Sequence, residues 1–158
     1  MMKIREIEAS DNASLANLIR RILKGYGLDI PGTAYFDEGL DHLSDCYKDK
    51  DHRYFVLLDD EGVVAGGVGF SRFPLMDDTA ELQKLYLADR LRGTGTGRMM
   101  LDHIENSMRE AGFKRSYLET HSNLKAAIHL YEKAGYREIE RPKEVVHSTM
   151  DRFFVKEL

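Results

Sequence analysis

Arg92-Gly93-Thr94-Gly95-Thr96-Gly97-Arg98 joins a strand-like run, Glu81 to Leu87, to an amphipathic helix from about Thr96 to Glu110. That helix carries Met100, Leu101, Ile104 and Met108 on one inward stripe of 3.6-residue period. Three alternating glycines let the backbone curl, so that several N–H groups face one anion. The helix start adds the positive end of its macrodipole, and Arg92 and Arg98 put charge at both edges. Together these features predict a pyrophosphate site; the simpler alternative is a glycine-rich turn with solvated arginines. The P-loop pattern G-x-x-x-x-G-K-[ST] is absent. The spacing is G-x-G-x-G, with Arg98 where the dinucleotide fingerprint wants its third glycine, and the stretch comes late in the chain. Walker-type and nicotinamide enzymes are therefore poor fits.

Outward from this turn, strands and helices intermix. Before it, Lys3 to Ile7 alternates like a short strand, and Leu15, Leu18, Ile19, Ile22 and Leu23 form one helical stripe. Ser10 or Asp11 would cap that helix, and Gly25 and Gly27 would stop it. A weaker helix is expected from Phe36 to Lys48, then a buried strand from Tyr54 to Leu58, a tight turn and a strand from Val63 to Phe70. Gly66, Gly67 and Gly69 inside the last imply a bulge or the close approach of another group. Beyond the turn come a strand, Ser116 to Thr120, a helix, Asn123 to Ala134, and strands Tyr136 to Glu140 and Arg152 to Val155. Hairpin-like connections early and β-α-β-α-β later give a mixed α/β class with antiparallel and parallel pairing. No repeat or linker divides residues 1–158, so one domain is expected.

Composition narrows the function. At 158 residues, 42% apolar and 32% charged, the chain fits a globular domain better than a disordered or membrane protein. No apolar run approaches the roughly 20 residues of a membrane-spanning helix, and Met1-Met2-Lys3-Ile4-Arg5-Glu6 has no apolar signal core. The single cysteine, Cys46, suits a reducing cytoplasm. Lys and Arg total 23 against 27 Asp and Glu, for a net charge of −4, so no basic excess points to nucleic acid.

Arg92 to Gly97 resembles the acetyl-CoA pyrophosphate loop, [QR]-x-x-G-x-[GA], of the GNAT superfamily of N-acetyltransferases. Leu82-Gln83-Lys84-Leu85-Tyr86-Leu87 resembles the strand before that loop. Asn123 through Tyr131-Glu132-Lys133-Ala134-Gly135-Tyr136 resembles the family helix N-x-x-A-x-x-L-Y-x-x-x-G-[FY]. The likeness covers roughly residues 52–141, and the N-terminal part in layout only. It implies a central mixed, mostly antiparallel sheet of about six to seven strands flanked by about four helices. It also implies transfer of an acetyl group from acetyl-CoA, as co-substrate, to a primary amine of a small molecule or protein by direct attack. Arg92, Gly93, Thr94, Gly95, Thr96, Gly97 and Arg98 would hold the pyrophosphate. The backbone of Leu85, Tyr86 and Leu87 would pair with the pantetheine amides and offer an oxyanion donor, and Asn123 would touch the pantetheine arm or cap its helix.

An alkylammonium of pKa ~10.4 is mostly protonated at neutral pH and cannot attack a thioester, so a base and a donor for the leaving thiolate are needed. Glu81 is the candidate base, acting directly or through water, because a carboxylate within a sheet is costly to bury without purpose. Period-two alternation places Glu81, Gln83, Leu85 and Leu87 on one face. Tyr131 is the candidate acid, which the resemblance puts near the sulfur; a core tyrosine satisfied elsewhere is the alternative. Gly25 to Tyr35 and Pro142 to Asp151 are expected to flank the acceptor. Cys46 has no His–Asp companions, and the six histidines show no metal-ligand spacing, so neither a thiol nucleophile nor a metal is expected. His103 and His129 read as helix-surface residues. A non-catalytic acyl-CoA-binding module and a protein-interaction domain are the competing functions. Dimerisation, common among such domains, leaves no mark in this sequence.

Overall fold

β1 (Lys3–Glu6), β2 (Arg53–Leu58), β3 (Val64–Arg72), β4 (Thr79–Leu87), β5 (Arg115–Thr120), β6 (Arg137–Ile139) and β7 (Arg152–Glu157) form one sheet in the order β1-β2-β3-β4-β5-β7-β6. The structure, a computed structural model, describes residues 1–145 and 148–158. Every neighbouring pair is antiparallel except β4 and β5, which run parallel. Among the described residues three α-helices flank the sheet: α1 (Asn12–Gly25), α2 (Thr96–Glu110) and α3 (Lys125–Lys133). The expected mixed, mostly antiparallel sheet is what the chain forms.

The helical stripes decide which face each helix covers. Leu15, Ala16, Ile19 and Leu23 of α1 pack with Leu28, Leu40, Leu43, Tyr47, Tyr54 and Val56 on one face. Met100, Leu101, Ile104 and Met108 of α2, with Ile128 and Tyr131 of α3, pack on Phe55, Leu57, Val68, Phe70, Leu82 and Phe154 on the other. Each fully buried Leu, Ile, Val, Phe or Met among them is worth about 1.5–3 kcal/mol.

Three local expectations change. Asp11 stands at the N-cap of α1, yet its carboxylate accepts from the Arg5 guanidinium, at 2.8 and 3.0 Å, and from the Glu8 N–H, at 2.8 Å. The segment expected as a helix from Phe36 to Lys48 forms 3-10 turns at Ala34–Phe36 and Leu40–Cys46, with a break at His42. Asn12 explains part of that. Its Oδ1 accepts the Ser44 N–H at 2.9 Å and its Nδ2 donates to Ser44 Oγ at 2.8 Å, so that N–H is not spent on an i−4 carbonyl. The third change is in β4. Gly67 pairs with Tyr86 and Gly69 with Gln83, so β3 advances two residues while β4 advances three. Lys84 takes up the extra residue with φ 51°, the signature of a bulge.

The bulge breaks period-two alternation. Ala80 and Leu82 face the α2–α3 side, and beyond Lys84 so do Leu85 and Leu87, while Tyr86 joins the α1 side. Glu81 and Gln83 therefore lie on the face opposite Leu85 and Leu87, which corrects the single face expected from alternation. The β3 glycines serve the same feature. A Cβ on Gly67 would stand 2.5 Å from Tyr54 Oη, and one on Gly69 2.4 Å from Tyr54 Cδ2. Tyr54, wholly buried, lies across both and donates its hydroxyl to the Lys84 carbonyl at 2.7 Å.

Candidate functional site

The β4–β5 ladder holds only from Thr79↔Arg115 through Ala80↔Ser116 to Glu81↔Tyr117. Past Glu81 the two parallel strands part, leaving the β5-side edge of Leu82–Leu87 without ladder partners. The bulge at Lys84 bends β4 at the start of this opening.

A groove of about 490 Å³ runs from the opening along α3 to the glycine turn. Leu85, Tyr86, Leu87, Arg92, Gly93, Gly95, Gly97, Arg98 and Tyr131 line it together with Ala127 and Leu130. Gly93 and Gly95 have φ 72° and 84°, the left-handed region that glycine enters without strain, and Gly95 is the N-cap of α2. A Cβ on either would meet nothing within 4 Å, so the space above the turn is open to a ligand. The first turn of α2 carries no acidic residue to compete for the anion position. A Cβ on Gly97 would lie 3.3 Å from Leu130 Cδ2, so its absence lets the start of α2 sit close against α3.

Not every residue of the turn faces the groove. Thr94 Oγ1 lies 2.7 Å from Thr96 Oγ1 and also bonds the Leu91 carbonyl, so these hydroxyls tie the turn to itself. Arg92 pairs with Asp89 at 2.9 Å and lies 4.9 Å above the Tyr26 ring, while Arg98 pairs with Asp102 one helical turn on. Asn123 is exposed and donates Nδ2 to the Tyr26 carbonyl at 3.0 Å. It does not cap α3, whose N-cap is Leu124.

Tyr131 is 5% exposed and lines the groove, packed on Tyr136 and Phe154. Four other core tyrosines donate their hydroxyls inside the fold: Tyr47, Tyr54, Tyr117 and Tyr136. The Tyr131 hydroxyl has no such partner among the described residues. Burial pushes its pKa up, so the phenol keeps its proton.

Glu81 sits inside the ladder, paired with Ser71 on β3 and Tyr117 on β5. Burial raises its pKa, the Gln83 hydrogen bond pulls it down, and the nearby Glu119 charge raises it again. Gln83 Nε2 donates to Glu81 Oε1 at 3.0 Å, and Tyr47 Oη donates to Gln83 Oε1 at 2.6 Å. Glu119 accepts from Tyr117 Oη at 2.9 Å and from Ser148 Oγ at 3.1 Å. Sequence reading passed over Glu119, Gln83 and Tyr47. The available signal was period two: Tyr117 and Glu119 share a face of β5 opposite Leu118, and that face meets Glu81.

The two expected flanking loops meet. Thr149 Oγ1 donates to the Pro31 carbonyl at 3.0 Å, and a Cβ on Gly32 would overlap Thr149 Oγ1 at 2.0 Å. Val146 and His147, within the second loop, lie outside the described residues. Cys46 is exposed. His103 is no plain surface residue, since its ring packs edge-on to Phe55 at 4.6 Å and Nε2 is buried with no hydrogen-bond partner among the described residues. Among the described residues no group of three or more His, Cys, Asp or Glu side chains could hold a metal, and no helix is long and apolar enough to cross a membrane.

The family model described as "Acetyltransferase (GNAT) family" matches residues 17–136. The Escherichia coli (strain K12) protein "Uncharacterized N-acetyltransferase YjgM" is 38% identical over 141 residues, covering 87% of this chain and 83% of its own. A GNAT-family acetyltransferase of Staphylococcus aureus Mu50 superposes with TM-score 0.88 at 20% identity, over 99% of both chains. YncA from Salmonella typhimurium, solved with acetyl-CoA, superposes with TM-score 0.77 at 19% identity, over 99% of this chain and 94% of that one. The last two establish likeness of fold.

Proposed function

The chain belongs to the GNAT family of acetyltransferases, and from that premise we propose that it moves the acetyl group of acetyl-CoA onto a primary amine of a small molecule or protein by direct attack. The observation that carries this reading is the opening between β4 and β5 beside the glycine turn, with Tyr131 on one side of the sheet and Glu81 on the other. The groove fits the cofactor's shape and charge: open space above Gly93 and Gly95, two flanking arginines and an unladdered strand edge.

In this reading the turn from Gly93 to Gly97 offers backbone N–H groups to the pyrophosphate, with Arg92 and Arg98 beside it. The free edge of Leu85 to Leu87 offers main-chain groups to an extended amide ligand, as one more strand would. Acetyl-CoA, when bound, supplies an activated carbonyl and a thiol leaving group. Glu81, in its buried setting, accepts the proton of the incoming ammonium directly or through water, and its raised pKa brings it nearer the working pH. Glu119 adds a second negative charge on the same face, which favours a cationic acceptor. A backbone N–H near Leu85 faces the oxygen on which charge develops. Tyr131 holds its proton at Oη for the departing sulfur. The exposed lone Cys46 suits a reducing compartment such as the cytoplasm.

The test is release of free CoA thiol with acetyl-CoA and a panel of primary amines, beside thermal unfolding with acetyl-CoA. At about 100 times Kd the cofactor should stabilise the fold by about 2.7 kcal/mol. Amine-dependent thiol release supports the reading. Stabilisation by acetyl-CoA without release for any amine would leave a binding module and overturn catalysis.

A further inference from the structure

We propose that Gln83, its amide fixed by the Tyr47 hydroxyl, is the positioning residue that holds the Glu81 carboxylate toward the β4–β5 opening. This rests on the reading of Glu81 as the base. The geometry is a chain of two hydrogen bonds. Tyr47 Oη can donate only one proton, and it gives it to Gln83 Oε1 at 2.6 Å. The carboxamide oxygen is thereby committed, and Nε2 must face the other way, where it donates to Glu81 Oε1 at 3.0 Å. Tyr47 is itself held: it is 8% exposed and packs against the Tyr54 ring at 5.3 Å between centroids. Tyr54 in turn bonds the bulge carbonyl of Lys84, so two packed tyrosines fix two adjacent points of β4.

The charged and titratable groups about Glu81 are Glu119 and Tyr117 on β5, Lys84 on β4 and Tyr47, which follows the 3-10 turn Leu40–Cys46. Lys84 is paired with Asp37 at 3.3 Å, and Tyr117 gives its proton to Glu119. The Gln83 amide is thus the hydrogen-bond donor on the Glu81 carboxylate among the described residues. A neutral donor favours the ionised carboxylate without adding a cation that would repel an incoming ammonium. That is what a base for a charged amine requires.

Carbon-13 labelling of glutamate side-chain carboxyls allows Glu81 to be titrated directly by NMR, its signal assigned as the one missing in Glu81→Gln, with no acceptor present. Gln83→Leu should move the Glu81 midpoint up by about one unit, the size of a lost hydrogen bond to a charged group. Tyr47→Phe leaves Gln83 in place and only frees its amide to turn, so a smaller upward shift is expected. With any amine that turns over, both variants should move the acid limb of kcat/KM to higher pH, with KM for acetyl-CoA unchanged. A Glu81 midpoint unmoved in Gln83→Leu overturns the proposal. A midpoint moved in Gln83→Leu and unmoved in Tyr47→Phe removes Tyr47 from it. Normal turnover in Glu81→Gln sinks the base reading instead, and the NMR titration tells the two failures apart.

Discussion

Tyr131→Phe should separate chemistry from packing, because its hydroxyl alone is taken away. The ring contacts with Tyr136 and Phe154, at 5.8 and 6.4 Å between centroids, survive the change. No hydrogen bond within the described residues is lost, and a phenol oxygen in a 5%-exposed side chain is poorly solvated. Stability should therefore hold or rise slightly. Tyr136→Phe is the control. Its hydroxyl donates to Ser116 Oγ at 2.7 Å, and Ser116 is wholly buried, so the change strands a polar atom. That costs about 2 kcal/mol, or about 4–8 °C in Tm for a chain of this size. The activity ordering should be reversed. In the proposed role of proton donor, Tyr131 should contribute about 10²–10⁴ in kcat, while Tyr136, which does not line the groove, should leave kcat within a few-fold. Because burial keeps the Tyr131 phenol protonated, the Tyr131→Phe deficit should be flat with pH up to the ordinary phenol range. Thiol release at saturating acetyl-CoA and scanning calorimetry read both quantities. A kcat for Tyr131→Phe within threefold of the parent, or a Tm loss matching that of Tyr136→Phe, would refute the reasoning.

Gly95→Asp places a carboxylate at the N-terminus of α2, which the free fold tolerates electrostatically but a pyrophosphate does not. Circular dichroism should stay native while calorimetric affinity for acetyl-CoA collapses, and unchanged affinity would remove the turn from the cofactor site. Glu81→Gln should slow turnover most at neutral pH, the deficit shrinking at high pH as more of the same amine arrives deprotonated. Its stability has a sign of its own. A carboxylate whose folded pKa is raised gives up stability as pH climbs above the ordinary glutamate range. The Tm of Glu81→Gln relative to the parent should thus increase from pH 4 to pH 8, and a pH-independent difference contradicts this. Gly67→Ala drives a Cβ to within 2.5 Å of Tyr54 Oη, so a loss of about 1–3 kcal/mol is expected by thermal unfolding.

The sheet, its helices and the glycine turn were legible because each rests on short-range rules. Leu15, Ile19 and Leu23 mark a buried stripe wherever they fold, and Gly93 and Gly95 need φ above zero whatever lies above them. Three β3 glycines also announced a close approach, though not that it would be the Tyr54 ring at Gly67 and Gly69 and the Tyr86 carbonyl at Gly66. The faces of β4 were not legible. Lys84 is an ordinary lysine in an ordinary strand pattern, and its left-handed φ is imposed by partners 30 and 47 residues away, Tyr54 and Asp37. For the same reason Asn123, Thr94 and Thr96 matched the expected pattern but spend their side chains on Tyr26 and on each other. Glu119 went unseen because its significance lies in facing Glu81 across the parallel pair.

That lysine carries more of the site than any residue in the glycine turn. A non-glycine residue at φ 51° costs on the order of 1–3 kcal/mol, so it persists only where its surroundings over-determine it. Here they do: the Tyr54 hydroxyl takes its carbonyl, Asp37 takes its ammonium, and Gly67 and Gly69 make room for the ring that reaches it. With regular pairing instead, Leu85 and Leu87 would share a face with Glu81, and Tyr86 would lie on the other. One extra residue reverses those faces. It leaves Glu81 and Gln83 on the face of Tyr47 and puts Leu85 and Leu87 on the side of Tyr131. The strain at Lys84 is therefore what sets Glu81 and Gln83 on one side of a single strand and Leu85 and Leu87 on the other.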